Sequence, residues 1–509
     1  MSEAAPPDSG QQDIAALAKG GRTNFFGFLL RLAGTAPFLI IAGRLYGVEA
    51  LGRYASALVV VELTGQLCAL GQRRGLAQRL AEDERHPANV IADGMLLTLG
   101  LALVAAALLL AFPAPMFPSG QYSQWDRLLP LSMIPNALTD IALAALAYRY
   151  NVAATVRARS IVEPWTMLLA VVGLWFVVPE GGLALSYTLA KFAAAVVAFV
   201  PLLRAYGLPH RWQPHPLRIG RLAVASSPLA GADLVEWGTR RLDIAILGLF
   251  SSPKAVGVYY AAQQIASLPQ KLKTSFEPVL GPVITRNLKE KNYAAIARQV
   301  CQVGFWIVAA QAGIALALGL PGEAVMGLVG PNFVGGTGAL SFLLAAEVVA
   351  ATAVVSEAAL IYVARFQNLV VSLGTIALQA LLTVALVLAV RAAPGWDLPG
   401  RLHFPADKVD YYQAAAVALA LAISLGMASL VKSRLLARIL GERVNNWRWP
   451  LVWAAAPAIA LGWMVTHSIP EWAELAFGVP AILGVYGWVI WHKGFGPEDR
   501  VLFRKNVGG

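Results

Sequence analysis

The chain has 509 residues, of which 58% are hydrophobic and only 14% are charged, and its formal net charge is +11. Soluble globular domains are roughly 45–50% apolar and about 25% charged, so this composition excludes an ordinary soluble domain. The two cysteines, Cys68 and Cys301, lie within apolar segments. We predict that they are buried core residues rather than members of a disulfide.

Long apolar segments recur along the whole chain. Most are about 18 to 30 residues long, enough to cross a hydrocarbon core about 30 Å thick as a helix. They predict about fourteen transmembrane helices, at residues 22–46, 54–72, 89–113, 126–150, 160–178, 182–205, 219–250, 255–286, 294–320, 336–363, 367–391, 411–431, 449–467 and 472–491. We therefore expect an all-α polytopic membrane protein.

The first residues differ from a secretory signal peptide. The segment from Met1 to Asp13 contains three acidic residues and no Lys or Arg, whereas a signal peptide begins with a basic segment. We expect residues 1–18 to form a disordered cytoplasmic tail and the first helix to remain as an uncleaved anchor.

Basic residues are distributed unevenly between the two sets of connecting segments. If the N-terminus is cytoplasmic, 27 of the 40 Lys and Arg residues fall in the cytoplasmic set and 7 in the opposite set. Short cytoplasmic loops of membrane proteins carry an excess of basic residues. The bias predicts that both termini are cytoplasmic, and it accounts for most of the net charge without a nucleic-acid partner.

A short motif occurs twice. Gly52 and Tyr54 follow the outer end of the first predicted helix, and Gly257 and Tyr259 follow the outer end of the seventh. Because an even number of helices separates the copies, both halves should have the same orientation, as in transporters built from parallel repeats. The sequence predicts a six-helix lobe at 19–210, a pseudo-symmetric six-helix lobe at 211–440, and two additional helices with a cytoplasmic tail at 441–509.

Several short motifs follow one another in a characteristic order. They are Ala42-Gly43-Arg44-Leu45-Tyr46-Gly47, Leu51-Gly52-Arg53-Tyr54, Arg241-Leu242-Asp243-Ile244, Val256-Gly257-Val258-Tyr259 and Gly330-Pro331-Asn332-Phe333. In their order and spacing, over nearly the whole chain, the sequence resembles the Wzx-like polysaccharide flippases of the multidrug/oligosaccharidyl-lipid/polysaccharide (MOP) exporter superfamily.

This resemblance implies a function. The expected cargo is a lipid-linked oligosaccharide of the undecaprenyl-pyrophosphate type, moved across the bacterial cytoplasmic (inner) membrane by alternating access of the two lobes. The resemblance also implies contact of the cargo's tail with membrane lipids, and a proton or sodium ion as the coupling ion.

Ionisable residues within the predicted seventh helix form a stripe. Such residues are costly at membrane depth and usually face an aqueous cavity or a partner. Asp233, Glu236, Arg240 and Asp243 are 3, 4 and 3 residues apart, which places them on one helical face. Two interpretations stay open: a cavity wall in which Arg240 or Arg241 binds an anionic head group and an acid carries a coupling proton, or a buried Glu236–Arg240 ion pair.

Other charges at membrane depth extend both roles. Arg31 in the first helix, with Lys271 and Lys273 in the eighth, would add to a cationic cavity, because guanidinium and ammonium groups bind phosphate oxygens. The two lysines would alternatively extend toward the cytoplasmic interface. Glu62 and Asp140 are candidates for ion coupling, or for partners in helix packing.

Signals of enzymatic chemistry are weak. The six histidines lack the spacing of metal ligands, and no phosphate-binding G-x-x-x-x-G-K-[ST] loop occurs. We expect a transporter that has no catalytic residue, metal or cofactor and that acts as a monomer. The alternatives are a lipid II flippase, a cation-coupled multidrug exporter of the same superfamily, and, from another class, a membrane-embedded glycan polymerase or ligase.

Overall fold

The computed structural model describes residues 9–273, 287–288, 290–393, 405–445, 447–496 and 499, with the backbone alone described for residues 9–29 and a few other helical positions. Every regular element in these residues is a helix, and none of them forms a strand. This confirms the predicted all-α class.

The chain divides into two compact units, Met1–Arg241 and Leu242–Gly509. A 3₁₀ turn, Asp126–Ser132, leads into the fourth helix of the first unit, and a π-helical turn, Val156–Val162, joins the fifth helix to the sixth. The helices of this unit are α1 (Ser9–Ala69), α2 (Gln72–Glu82), α3 (Pro87–Ala111), α4 (Met133–Tyr148), α5 (Val152–Thr155), α6 (Glu163–Trp175), α7 (Gly182–Tyr206) and most of α8 (Pro216–Phe250).

The second unit begins within α8. Its further helices are α9 (Pro253–Lys273), α10 (Tyr293–Gly319), α11 (Gly322–Val329), α12 (Thr337–Val363), α13 (Arg365–Ala392), α14 (Val409–Leu440), α15 (Pro450–Ser468), α16 (Glu471–Ala473) and α17 (Val479–Val489). The sequence placed the boundary between its two lobes at residues 210 and 211. The division into four parts and the pseudo-symmetry of the lobes stay predictions.

Helix α1 contains two of the predicted helices. Gly47 lies between them with φ 81° and ψ 175°, a non-helical conformation inside the element. Glycine adopts positive φ without the steric penalty of a Cβ atom, so the chain turns there while helical structure resumes at once. The helix begins at Ser9, inside the segment 1–18 that the sequence predicts to be a disordered tail.

Ten segments among the described residues are long and apolar enough to cross a membrane. The first, Leu30–Glu82, includes the kink at Gly47 and therefore holds two predicted helices. The segments Val152–Trp175, Pro216–Phe250 and Pro253–Lys273 are helical but are not among the ten. The protein is a multi-pass membrane protein, and fourteen membrane crossings stay a prediction.

The core of the first unit lies between α3, α4 and α7. Its buried residues include Ile91, Leu146 and Leu202, together with many alanines such as Ala142 and Ala194. Small residues let helix backbones approach closely, which is how membrane helices gain packing energy. Cys68 is also buried, as predicted, whereas Cys301 is only partly buried.

The core of the second unit brings α10, α12 and α14 together with the C-terminal helices α15 and α17. Phe305, Val355 and Leu436 are buried in it beside Tyr486. A Cβ atom at Gly313 would lie 2.9 Å from the Tyr486 ring. Glycine at this position therefore allows α17 to pack closely on α10, and the two additional helices predicted at 441–509 belong to this core.

Candidate functional site

Charged side chains from four helical segments meet inside the first unit. Arg159, in the π-helical turn, forms ion pairs with Asp140 of α4 and, at 2.7 Å, with Glu163 at the start of α6. Lys191 of α7 lies 2.7 Å from the other carboxylate oxygen of Glu163 and is only 7% exposed. The Lys191 ammonium also lies 4.8 Å from the centre of the Tyr187 ring.

A fourth ion pair continues this group. Arg241 of α8 and Glu62 of α1 form an ion pair of 3.3 Å, with 27% and 28% of their side chains exposed. Glu62 is also close enough to Lys191 for their charges to interact. The six residues alternate in sign and together have no net charge; we name them the charge chain: Asp140, Arg159, Glu163, Lys191, Glu62 and Arg241.

The charge chain explains how several ionisable groups lie between the helices of a membrane protein. An isolated buried charge is strongly unfavourable, whereas one that is paired and hydrogen-bonded is tolerated. Asp140, Glu62 and Arg241 were predicted as separate coupling or cargo-binding candidates, and the structure places all three in one network. Whether they have those roles stays a prediction.

Sequence reasoning missed two members of the charge chain. Neither Arg159 nor Glu163 was singled out from the sequence. Their spacing of four residues is a signal that could have found them, because it places both side chains on one side of a helix. The π-helical turn Val156–Val162 ends just before Glu163, and such turns are frequent at functional sites.

The stripe predicted on α8 contacts two different elements. Asp233 is 5% exposed and accepts a hydrogen bond of 2.6 Å from the Arg74 guanidinium of α2. The side chains of Glu236 and Arg240 lie outside the described residues, so the predicted pair between them is untested. Arg74 was not identified from the sequence as a partner of this aspartate.

Asp243 lies in the second unit and is 1% exposed. Its carboxylate accepts hydrogen bonds from the Tyr259 hydroxyl at 2.5 Å and from the Gln263 amide at 2.9 Å, both on α9. Tyr259 is one of the two tyrosines of the predicted repeat. Its counterpart, Tyr54, instead packs edge-on against Tyr187, with ring centres 6.0 Å apart.

The structure gives fewer contacts for the remaining cargo-binding candidates. The Arg31 side chain is exposed on α1. Gly34, one turn further along, packs against Pro164 of α6, so this face of α1 lies beside the residue that follows Glu163. The side chains of Lys271 and Lys273 lie outside the described residues.

A model of one protein family matches residues 41–315, over half of the chain, and the family is described as polysaccharide biosynthesis protein. The chain belongs to the polysaccharide biosynthesis protein family. No curated protein matches the sequence.

Solved structures of other proteins share the fold of this chain. A structure of the lipid II flippase MurJ in an inward closed conformation matches with a TM-score of 0.69 and 10% identity, over 96% of this chain and 100% of that one. An inward-facing multidrug resistance MATE transporter of the MOP superfamily matches with a TM-score of 0.64 and 13% identity, over 81% and 94%. The polysaccharide biosynthesis protein therefore has the fold of MOP-superfamily transporters.

Proposed function

We propose that this polysaccharide biosynthesis protein flips a lipid-linked oligosaccharide, of the undecaprenyl-pyrophosphate type, across the bacterial cytoplasmic membrane. The observation that carries the proposal is the family match over residues 41–315 in a chain with the fold of MOP transporters. A protein of polysaccharide biosynthesis that has a transporter fold is best explained if it moves the glycan itself.

The cargo's diphosphate is the group that intramembrane cations would bind. Guanidinium groups bind phosphate oxygens bidentately, and ammonium groups bind them as point charges. We propose Arg31, Arg240, Arg241, Lys271 and Lys273 as the residues that contact it.

Arg241 is the member of this set with the most informative surroundings. Its ion pair with Glu62 is partly accessible, so a diphosphate can replace the Glu62 carboxylate on the guanidinium. Glu62 then still has Lys191 nearby. The exchange therefore leaves Glu62 with one cation in its surroundings, which offsets part of the cost of losing its ion pair.

The same exchange offers a way to couple transport to an ion. When Arg241 engages the diphosphate, Glu62 loses a direct partner, and a carboxylate that loses a cation becomes a better acceptor for a proton or a sodium ion. We propose Glu62 and Asp140, both in the charge chain, together with Asp233, Glu236 and Asp243, as the acids that could carry the coupling ion.

The orientation in the membrane follows from the charge bias. With 27 of 40 basic residues in one set of segments, both termini lie in the cytoplasm under the positive-inside rule. We propose that a single chain is the working unit, since it supplies both lobes required for alternating access.

A second candidate function is supported by the MurJ match. A protein titled lipid II flippase shares this fold over 96% of the chain, and its titled cargo suggests that this chain could carry a peptidoglycan precursor. The family description favours an oligosaccharide instead.

Transport assays with several cargoes in proteoliposomes distinguish these candidate functions. The purified protein is tested with a diphosphate-linked oligosaccharide lipid, with lipid II and with a cationic drug. The proposal predicts flipping of the first cargo at a rate well above that of protein-free liposomes and above the rate with lipid II. Preference for lipid II would favour the second candidate, and export of the drug alone would refute both.

A further inference from the structure

Helix α2 docks onto the first half of α8. The Gln72 amide donates a hydrogen bond of 3.3 Å to the Ser226 hydroxyl, and the Arg74 guanidinium donates one of 2.6 Å to Asp233. We name this contact the latch; its residues are Gly71, Gln72 and Arg74 on one side and Ser226, Leu229 and Asp233 on the other.

The residues on α8 form one continuous surface. Ser226, Leu229 and Asp233 are spaced 3 and 4 residues apart, so they lie on one face of the helix. At about 1.5 Å of rise per residue they cover about 10 Å of its length. The latch is therefore a docking of two helical surfaces rather than a single ion pair.

Gly71 fits the latch closely. It caps the start of α2 with φ 63°, and a Cβ atom there would lie 2.3 Å from the Leu229 Cβ and 2.7 Å from the Leu229 carbonyl carbon. The backbone of the turn therefore presses directly on α8. A side chain at Gly71 would push the two helices apart, whatever it did to the turn itself.

The latch has a dry centre and a wet edge. Gln72 is fully buried and Ser226 is 5% exposed, whereas 41% of the Arg74 side chain is exposed. Water can therefore solvate the guanidinium when the ion pair with Asp233 breaks. Such an arrangement suits a contact that is stable when closed and still able to open.

A second set of contacts holds the start of α8. The Asn89 side chain of α3 exchanges two hydrogen bonds, of 2.9 and 3.0 Å, with the His210 backbone. Asp93, one turn further along α3 and 2% exposed, accepts hydrogen bonds from Trp212 at 2.9 Å and Arg218 at 3.1 Å. The connection into α8 is thus fixed to α3, and the latch fixes the helix itself.

The latch lies on the cytoplasmic side of the proposed cargo-binding arginine. Asp233 precedes Arg241 by eight residues, about 12 Å of helix, and α8 begins at Pro216 on the end predicted to be cytoplasmic. A cargo that moves along α8 from that end toward Arg241 would pass the latch residues first.

We propose that the latch closes the cytoplasmic entrance along α8 and opens once in each transport cycle. The docking stands on the contacts alone, whereas its role in admitting cargo rests on the proposed function. The opening releases α2 from Ser226, Leu229 and Asp233, while Asn89 and Asp93 keep the start of α8 attached to α3.

A reversible cross-link tests whether the latch has to open. Gln72→Cys and Ser226→Cys are introduced together after both native cysteines are changed to alanine, and a short bifunctional thiol reagent with a cleavable disulfide joins them. We expect cross-linked protein, loss of glycolipid flipping to the protein-free level, and recovery after reduction. Absence of a cross-link would refute the docking, and unchanged flipping by cross-linked protein would refute the opening.

Thiol labelling tests the latch without any transport. Ser226→Cys, introduced after both native cysteines are changed to alanine, is labelled slowly by an impermeant maleimide in inverted membrane vesicles when the latch is closed. Reversal of one charge, Arg74→Asp or Asp233→Arg, should raise labelling about tenfold, because a buried charge left unpaired shifts the equilibrium at least that far. The double reversal should restore slow labelling, and labelling equal in all variants would overturn the proposal.

Two matched controls isolate the latch from general damage. Gly120 also has positive φ, at 71°, but a Cβ atom there meets nothing within 4 Å. Gly71→Ala should therefore raise labelling of Ser226→Cys, and Gly120→Ala should not. Reversal of the Arg53–Asp126 pair, which is 3.4 Å long and lies elsewhere in the first unit, should also leave labelling unchanged. If the glycolipid is not flipped at all, the proposed function fails while these labelling results still decide the latch.

Discussion

Glu163 is the acid on which the charge chain depends most. It forms ion pairs of 2.7 Å with both Arg159 and Lys191. Two unit charges about 4 Å apart attract by about 4 kcal/mol at an effective dielectric constant of about 20, and desolvation of the carboxylate opposes part of this. Removal of one partner from a buried pair costs about 3–5 kcal/mol. We expect Glu163→Gln to destabilise the protein by about that amount.

A double-mutant cycle separates the ion pair from other effects of the substitution. Glu163→Gln leaves Lys191 without its nearest acid, whereas Glu163→Gln combined with Lys191→Met removes both charges and keeps the Arg159–Asp140 pair. The combined loss of stability should be smaller than the sum of the two single losses by about 0.5–3 kcal/mol.

The assay is unfolding of the purified protein in detergent, followed by denaturant and by heat. Glu49 is exposed on α1, so Glu49→Gln is a matched control that should change stability by less than about 0.5 kcal/mol. The reasoning is refuted if Glu163→Gln behaves like this control, or if the double variant loses the full sum of the single losses.

Three further predictions concern other contacts. Tyr259→Phe removes a hydroxyl that donates a hydrogen bond of 2.5 Å to the Asp243 carboxylate. The substitution should lower the free energy of unfolding in denaturant by about 1.5–3 kcal/mol, and unchanged stability would contradict the contact. Burial alone would raise the pKa of Asp499, but hydrogen bonds from an arginine, a backbone amide and a tryptophan outweigh it and lower that pKa. Asp499→Asn should therefore destabilise the protein at neutral pH, and the difference from wild type should vanish as pH falls below about 4 toward the folded-state pKa; a difference that persists in acid would contradict this. Gly313→Ala places a Cβ atom 2.9 Å from the Tyr486 ring and should cost about 1–3 kcal/mol, whereas Gly173→Ala, with nothing within 4 Å, should be neutral or stabilising in the same thermal assay.

Much of the fold could be predicted from the sequence because membrane helices depend on local composition. A long apolar segment forms a helix in a bilayer whatever its neighbours are, since its backbone groups have no water to bind. The kink at Gly47 falls between two predicted helices, at a glycine that adopts positive φ. The π-helical turn before Glu163 was not predicted, because it depends on how neighbouring helices pack around it. Pairs close in sequence, such as Arg159 and Glu163, carried a usable signal in their spacing.

Partners distant in sequence could not be predicted in the same way. Arg74 and Asp233 are 159 residues apart, and only the folded chain shows that they meet. Glu62 and Arg241 were each identified as ionisable groups at membrane depth, but nothing in the sequence indicated that they pair with each other. Their charge within apolar segments identified these residues in the sequence, whereas their partners depend on how the helices pack.

The central claim is that Arg241 binds the diphosphate of a lipid-linked glycan during transport. The most direct measurement is translocation of such a glycolipid in proteoliposomes, read from the access of an added glycosidase to the glycan, for the wild type, Arg241→Ala and Arg53→Ala. The account predicts translocation by the wild type and by Arg53→Ala, and loss of at least about tenfold in Arg241→Ala, as expected when a charge-assisted phosphate contact is removed. Equal translocation by all three proteins, each shown to be folded, would contradict it.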